Sequence, residues 1–541
     1  MASEHAGIAT KIDAIAVEVY RHRLAAIAEE MGLVLRRAAF SPNIKERRDY
    51  SCAVFDAQGA LTAQAAHIPV HLGSMQLAVN AALEQCKLAP GDVVILNDPF
   101  SGGTHLPDVT LVAPVYVEER PTAVAFVAAR AHHSDIGGSF PGSMGLAEEI
   151  YQEGLRLPPV HLVRAGERCD DVFTLFAANT RAAQERRGDL LAQLAALRVG
   201  SRRITELIAT VGERRLAAAM SALQAYSERL LRVLIQRLPD GVYRARDHLD
   251  DDGMDKTKIP IAVAVTVDGE DITFDFSGSA AQVQGGVNAN LAITWAAVLY
   301  CLQLLARGAI PANAGFARPV RVVAPEGSIV NARFPAAVAG GNVETSQRIV
   351  DAILRALAQA APEVVPAASC GSMNNLALGG SFSTDGDRFT YYETVAGGAG
   401  GGPQRAGASG VHTHMTNTWN TPIEALETHF PVRVTRYSLR KASGGAGLHP
   451  GGCGVVREIE ALVRLRASLL TERRRYAPWG LRGGRPGRPG RNWLIRTGHG
   501  GALRKQRLPS KVTVTLEPND RLRLETPGGG GWGGRKGARG R

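Results

Sequence analysis

Sixty of the 541 residues are glycine, many of them in pairs or longer runs set between apolar segments and polar side chains. Without a Cβ, a backbone can make tight turns and approach other backbone closely, at an entropic cost that folding must recover. Runs flanked in this way are unlike collagen or a flexible linker. They imply a folded protein with many tight turns and close backbone approaches.

The length allows two or three domains that bury substantial cores. Hydrophobic residues make up 45% and charged residues 21%, which is ordinary for a globular chain. Met1 to Lys11 mixes charges and has no apolar leader, and Ile12 to Val34 is interrupted by Glu18, Arg21, Arg23, Glu29 and Glu30, so no membrane span and a cytoplasmic location are expected. Six scattered cysteines form no CxxC pair and read as reduced, buried thiols. The net charge of +11 is spread over helices and a terminal Arg535, Lys536, Arg539, Arg541 run, a distribution that gives no nucleic-acid footprint.

Apolar spacing predicts a helix or helix pair over Ile12 to Phe40 and a helix over Ser74 to Gln85 between strand-like segments at 52–55, 93–96 and 109–112. A helical block from Ala182 to Arg237, broken near Gly200 and Gly212, ends at Pro239. Beyond it, 259–267 and 272–276 flank Gly269 as a hairpin, and 349–358 reads as helix. The expected class is mixed α/β (α+β) and multi-domain, with a central helical block and Gly-rich β segments. The expected division is 1–240, 241–525 and a Gly-rich basic tail at 526–541, disordered at its end.

Polar residues concentrate at strand ends. In Asn97–Asp108, a Gly-rich loop between two apolar strands, His105 and Asp108 stand three apart and can converge on one divalent cation. The same pair can equally well serve as a turn donor and an amide cap. His132 and His133 follow another apolar strand, and on extended backbone they point to opposite faces, so one at most faces a given metal. In Asn43–Asp49, Glu46 can supply an oxygen ligand and Arg47 or Arg48 an anion contact, or the run is a solvated charge cluster. Gly340–Gln347 can expose amides at a helix start, and 391–393, 397–402 and 412–424 form a dense polar string. No GxxxxGK[ST], strand-linked GxGxxG, HExxH or GxSxG is present.

Taken in order, NIKERRDYSCAVFD (43–56), NDPFSGGTHLPDVTL (97–111), AHHSDIGG (131–138), GGNVETSQR (340–348), HTHMTNTWNTPIEALE (412–427), SGGAGLHPGGCGVVRE (443–458) and the TPGGGGWG close resemble the hydantoinase B/oxoprolinase family. That family includes subunits of N-methylhydantoinase and 5-oxoprolinase and is related to acetone and acetophenone carboxylase subunits. The resemblance implies the B subunit of an ATP-dependent cyclic amide or imide hydrolase. A partner of the hydantoinase A type would bind ATP and Mg and phosphorylate the ring carbonyl, and this chain would open the activated ring within a hetero-oligomer. It further implies a divalent metal, Zn or Mn, on Glu46, His105, Asp108 and His132, with ligation by His133 left open. Asp135 and His133 are the candidates for catalytic roles beside it, Asp135 as the acceptor that fixes a ligand imidazole's tautomer. The chain departs from the family at Thr180-Arg-Ala-Ala-Gln-Glu, where a proline commonly follows the arginine, and it lacks the partner's DxGGTxTD phosphate signature. Two alternatives stand beside this reading: a subunit of an ATP-dependent carboxylase, using the same ligands, and a non-catalytic structural subunit.

Overall fold

The computed structural model describes residues 12–65, 68–118, 120–382, 387–497 and 502–534. Helix α1, Ala14–Ala38, is capped by Asp13, whose side chain accepts from the Ala16 amide at 2.7 Å. Val17, Tyr20, Leu24, Ile27, Met31 and Leu35 recur at helical spacing and are all buried. They pack on the long α3, Ala183–Val211, which follows α2, Ser74–Gln85. Gly200 does not break α3. A Cβ there would lie 2.5 Å from Met31 Sδ, so this glycine lets the two helices touch. The chain breaks at Gly212, whose φ is +84°, and resumes as α4, Glu213–Ile235.

These helices cover a seven-stranded antiparallel sheet in the order β2-β1-β5-β4-β3-β6-β7. Its strands are β1 (Tyr50–Asp56), β2 (Leu61–Gln64), β3 (Val93–Leu96), β4 (Asp108–Val115), β5 (Ala125–His132), β6 (Val160–Arg164) and β7 (Glu167–Arg168). Every residue of β4 and β5 is buried. Val109, Leu111, Val127 and Ala129 join the core under α1 and α3, whereas Val112, Phe126 and Ala128 pack under α2. With both faces covered, the two-residue alternation assigns each side chain to one helix layer.

A second sheet, ordered β11-β10-β9-β8, contains β8 (Gly241–Asp251), β9 (Thr257–Asp268), β10 (Asp271–Asp275) and β11 (Val320–Val323). The β9–β10 hairpin turns at Gly269, with φ +59°. Helix α6, Ser346–Ala360, lies on β8 and β9 and packs against α5, Leu291–Leu305. A short π-helical turn, 341–345, leads into α6, so the 340–347 segment does not end in free amides at a plain helix start.

Two further sheets close over one apolar core. One runs β13-β12-β16-β19, through β12 (Asn375–Ser381), β13 (Arg388–Glu393), β16 (Leu465–Leu470) and β19 (Lys511–Leu516). The other runs β14-β15-β20-β17-β18, through β14 (Val432–Leu439), β15 (Val455–Ala461), β17 (Arg491–Thr497), β18 (Leu503–Leu508) and β20 (Arg521–Glu525). Beside them the glycine runs form a bundle of their own. The Gly529 amide donates to Gly452, Gly530 to Ala368 and Gly531 to Arg485, while Gly445 and Gly401 donate back to Gly529 and Gly530. The segment from 526 is therefore the buried axis of this bundle as far as Gly531, and 535–541 lie outside the described residues. Among the described residues no helix is long and apolar enough to cross a membrane, and all six cysteines are free thiols.

Candidate metal centre

Asp108 opens β4 and His132 closes β5, and the antiparallel register sets them directly opposite one another. Side chains opposed in this way have Cβ atoms roughly 5 Å apart on one face. That face is the α2 side, because Asp108 shares it with Thr110 and Val112 and His132 shares it with Arg130 and Ala128. His105 arrives from the preceding loop, which Asn97 holds rigid. Asn97 Nδ2 donates to the carbonyls of Leu106 (2.8 Å) and Leu155 (3.0 Å), and its Oδ1 accepts from the Leu157 amide at 2.7 Å. A Cβ on Gly103 would lie 2.5 Å from the Asn97 carbonyl, so the loop closes this tightly only with glycine there.

His105 Nε2 lies 3.3 Å and His132 Nδ1 3.5 Å from Asp108 Oδ1. His105, Asp108 and His132 each offer a ligand atom within 4.8 Å of the other two, and all three residues are buried. Oδ1 makes no hydrogen bond despite its burial, whereas Oδ2 accepts from Thr104 Oγ1 at 2.7 Å and faces His71 Nε2 at 3.3 Å. Burial pushes the Asp108 carboxyl up, but His105, His71 and His132 outweigh it and hold it well below the usual carboxylate range. Burial is also the main cause that lowers His132. An ionised carboxylate oxygen with no donor, set between two imidazole nitrogens, is a donor set suited to a divalent cation such as Zn or Mn. His132 is stacked on Tyr392 (4.8 Å, 10° between planes), and His71 Nδ1 lies 2.8 Å from Ser51 Oγ. The cavity beside these groups is about 20 Å³, room for one small occupant, and is also lined by Asp49, Asn342, Thr394, Thr416 and Thr418.

Three of the four residues expected at the metal thus meet. Glu46, half-buried at the end of the turn Pro42–Lys45, is not among the converging group, and Asp49 is the acid from this segment that reaches the cavity. His133 points to the opposite face. Gln193 on α3 donates its amide to the carbonyls of Val109 and Ala129, so its Oε1 accepts from His133 Nε2 at 3.0 Å. Burial, aided by Arg186, lowers His133 to about 4, and the ring packs edge-on against Phe176. Asp135 holds a turn: it accepts from the amides of Gly137, Gly142 and Arg181 and from Arg181 Nη1 at 2.7 Å. No metal-facing imidazole donates to it. His71, Asp49, Asn342 and Tyr392 are not individually marked as site residues by the sequence, although Asp49, Asn342 and Tyr392 lie in the singled-out segments 43–49, 340–347 and 391–393. For His71 the only local signal is a histidine inside the apolar run Ile68 to Leu72.

The profile of the family described as Hydantoinase B/oxoprolinase matches residues 13–535. The chain belongs to the hydantoinase B/oxoprolinase family. Among the relatives of this family member, 5-oxoprolinase 1 of Arabidopsis thaliana is 39% identical over 550 residues, which cover 96% of this chain and 42% of that one. A protein of Pseudomonas sp. (strain NS671), provisionally named as the B-type subunit of a D-/L-hydantoinase, is 33% identical over 97% of this chain and 90% of its own length. The chain therefore spans about two-fifths of the 5-oxoprolinase relative and nearly all of the hydantoinase relative. Among solved structures, the ATP-dependent caprolactamase from Pseudomonas jessenii superposes with a TM-score of 0.89 at 31% identity, covering 97% of this chain and 92% of that one.

Proposed function

We propose that this family member is the ring-opening subunit of an ATP-dependent cyclic amide or imide hydrolase, working with a separate protein of the hydantoinase A type that binds ATP and Mg. The observation that carries the reading is the convergence of His105, Asp108 and His132, all buried, around an unpartnered carboxylate oxygen beside a small cavity. The names of its relatives, a 5-oxoprolinase, a hydantoinase and a caprolactamase, share one chemistry, attack on the amide of a ring. That the hydantoinase relative, matched over 90% of its length, carries the name of a B-type subunit supports a partner. The free thiols accord with a reducing cytoplasm.

A divalent cation on His105, Asp108 and His132 would make hydroxide available near neutral pH and polarise the electrophile. The chain's own residues prepare for it. Thr104 and His71 occupy Asp108 Oδ2, which leaves Oδ1 to the site. Ser51 engages the far nitrogen of His71, and Tyr392 fixes the plane of the His132 ring. Burial keeps bulk water away from all of these groups, so an activated ring meets one positioned water rather than many.

The test is reconstitution with the A-type partner, ATP and a panel of 5-oxoproline, hydantoin and caprolactam, following phosphate release and the mass of the product. Ring opening that needs both proteins and one substrate of the panel is expected. A strict bicarbonate requirement, with a product heavier by one carboxyl group, would refute hydrolysis in favour of carboxylation.

A further inference from the structure

The cavity has a second wall that the metal ligands do not explain. Arg47 is fully buried behind it. Its Nη1 donates to Asn43 Oδ1 and to the Tyr392 carbonyl (3.1 Å), and its Nη2 to Thr394 Oγ1 (3.0 Å) and Thr418 Oγ1 (3.3 Å). All four acceptors are uncharged, and Nε has no partner. Some other buried arginines face carboxylates: Arg457 lies 3.0 Å from Glu393, and Arg348 lies 2.9 Å from Asp351, whereas Arg130 is held, like Arg47, by neutral groups, Thr110 Oγ1 and Ser74 Oγ. A buried guanidinium with only neutral partners keeps an unspent positive charge, which is costly unless an anion completes it.

The threonines turn that charge towards the cavity. Thr394 and Thr418 Oγ1 are 2.8 Å apart, Thr418 and Thr416 Oγ1 are 3.2 Å apart, and all three residues line the cavity together with Asp108 and His132. Arg47 fills acceptor sites on two of the hydroxyls. Two contacts among three hydroxyls consume two of the three O–H protons, so one O–H is left to donate elsewhere. Charge balance points the same way. A dication at the metal centre would draw on the Asp49 and Asp108 carboxylates, the acids that line this cavity, which leaves none of them to Arg47. The cavity of about 20 Å³ holds one small occupant as it stands, so a phosphoryl group enters beside a metal ion only if this wall moves outward.

We infer that Thr394, Thr416 and Thr418, with Arg47 behind them, form an oxyanion subsite for the phosphoryl group of the activated substrate and for the phosphate released from it. This inference rests on the ATP-dependent reading above. It takes up the arginine contact with an anion that the 43–49 segment suggested and assigns it to the buried Arg47.

The probe is inorganic phosphate, titrated by calorimetry into the full-length, Mn-loaded protein, with the Mn paramagnetic resonance signal followed in parallel. Thr418→Val and Thr394→Val remove a hydroxyl without changing volume, and Thr416→Val serves should either fail to fold. Phosphate affinity is expected to fall about tenfold or more in these variants, while Mn affinity without phosphate stays within about threefold of wild type. Thr390→Val, a buried threonine that does not line the cavity, should leave phosphate binding unchanged. Equal phosphate affinity in wild type and the wall variants would overturn the inference, as would acetate or chloride binding as well as phosphate. If the protein holds Mn but no phosphate, the oxyanion subsite is refuted and the metal centre stands. If it holds no metal, the proposed function is refuted instead. Substrate phosphoryl and released phosphate separate kinetically: a raised KM for the activated substrate marks the first, and weaker product inhibition with KM unchanged marks the second.

Discussion

Gly529→Ala tests whether the glycine runs are there for close backbone packing. Gly529 has no left-handed φ, so alanine is conformationally acceptable and the cost must come from space alone. A Cβ on Gly529 would lie 2.0 Å from the Ala399 carbonyl oxygen and 2.3 Å from its carbon. Relief requires backbone to move by at least about 1 Å in a bundle cross-linked by hydrogen bonds, which exceeds the ordinary overpacking that costs about 1–3 kcal/mol. We therefore expect a loss of about 3 kcal/mol or more, seen as a melting midpoint roughly 6–12 °C lower if the unit that melts is of ordinary domain size. Gly534→Ala is the matched control, because a Cβ there meets nothing within 4 Å. Differential scanning calorimetry of the two variants beside wild type decides the matter. If the midpoint of Gly529→Ala fell within about 2 °C of Gly534→Ala, close packing would not be the reason for these glycines.

His105→Ala and Asp108→Ala should each abolish stoichiometric binding of Mn or Zn, measured by elemental analysis after gel filtration. Retention of metal by both would remove the proposed centre. Asp49→Asn should weaken metal binding by about tenfold or more, and Glu46→Gln by no more than about twofold, in a competition titration against a chromophoric chelator. The reverse order would restore Glu46 to the site. Burial raises Glu153 to about 8 from an ordinary 4.5, only partly offset by the amides of Ala339 and Val338 that it accepts from. The folded state then keeps a proton that the unfolded chain gives up, so this contribution to stability is complete below about 4.5 and is lost as pH rises through about 8. Glu153→Gln should flatten that decline by an amount on the order of a few kcal/mol, read as midpoint against pH. Glu344, raised to about 8 by burial and by Glu472, preserves part of the slope. An unchanged slope in Glu153→Gln would show that Glu153 is ionised in the folded protein.

What the sequence determined by itself were the features that depend on near neighbours. Helix α2 follows the expected 74–85 span, the hairpin turns at Gly269, and the chain breaks at Gly212, because capping, periodicity and positive φ are local properties. The two-residue alternation of a strand already required His132 and His133 to face opposite ways, and the polar motif held His105 and Asp108 together. Which histidine faces Asp108 was a matter of register, since only the pairing of β4 with β5 sets Asp108 opposite His132 and sends His133 to Gln193. The same limit separates Asp49 from Glu46: a three-residue offset at the end of a short turn is invisible until the turn is docked. His71, Tyr392 and the threonine wall come from segments more than twenty residues from either ligand motif, and tertiary packing alone brings them to one cavity. Glycine carried the opposite lesson. Its abundance announced close backbone approaches, but Gly200 lies within an unbroken helix and the TPGGGGWG close is a buried axis, because what glycine permits is decided by what packs against it.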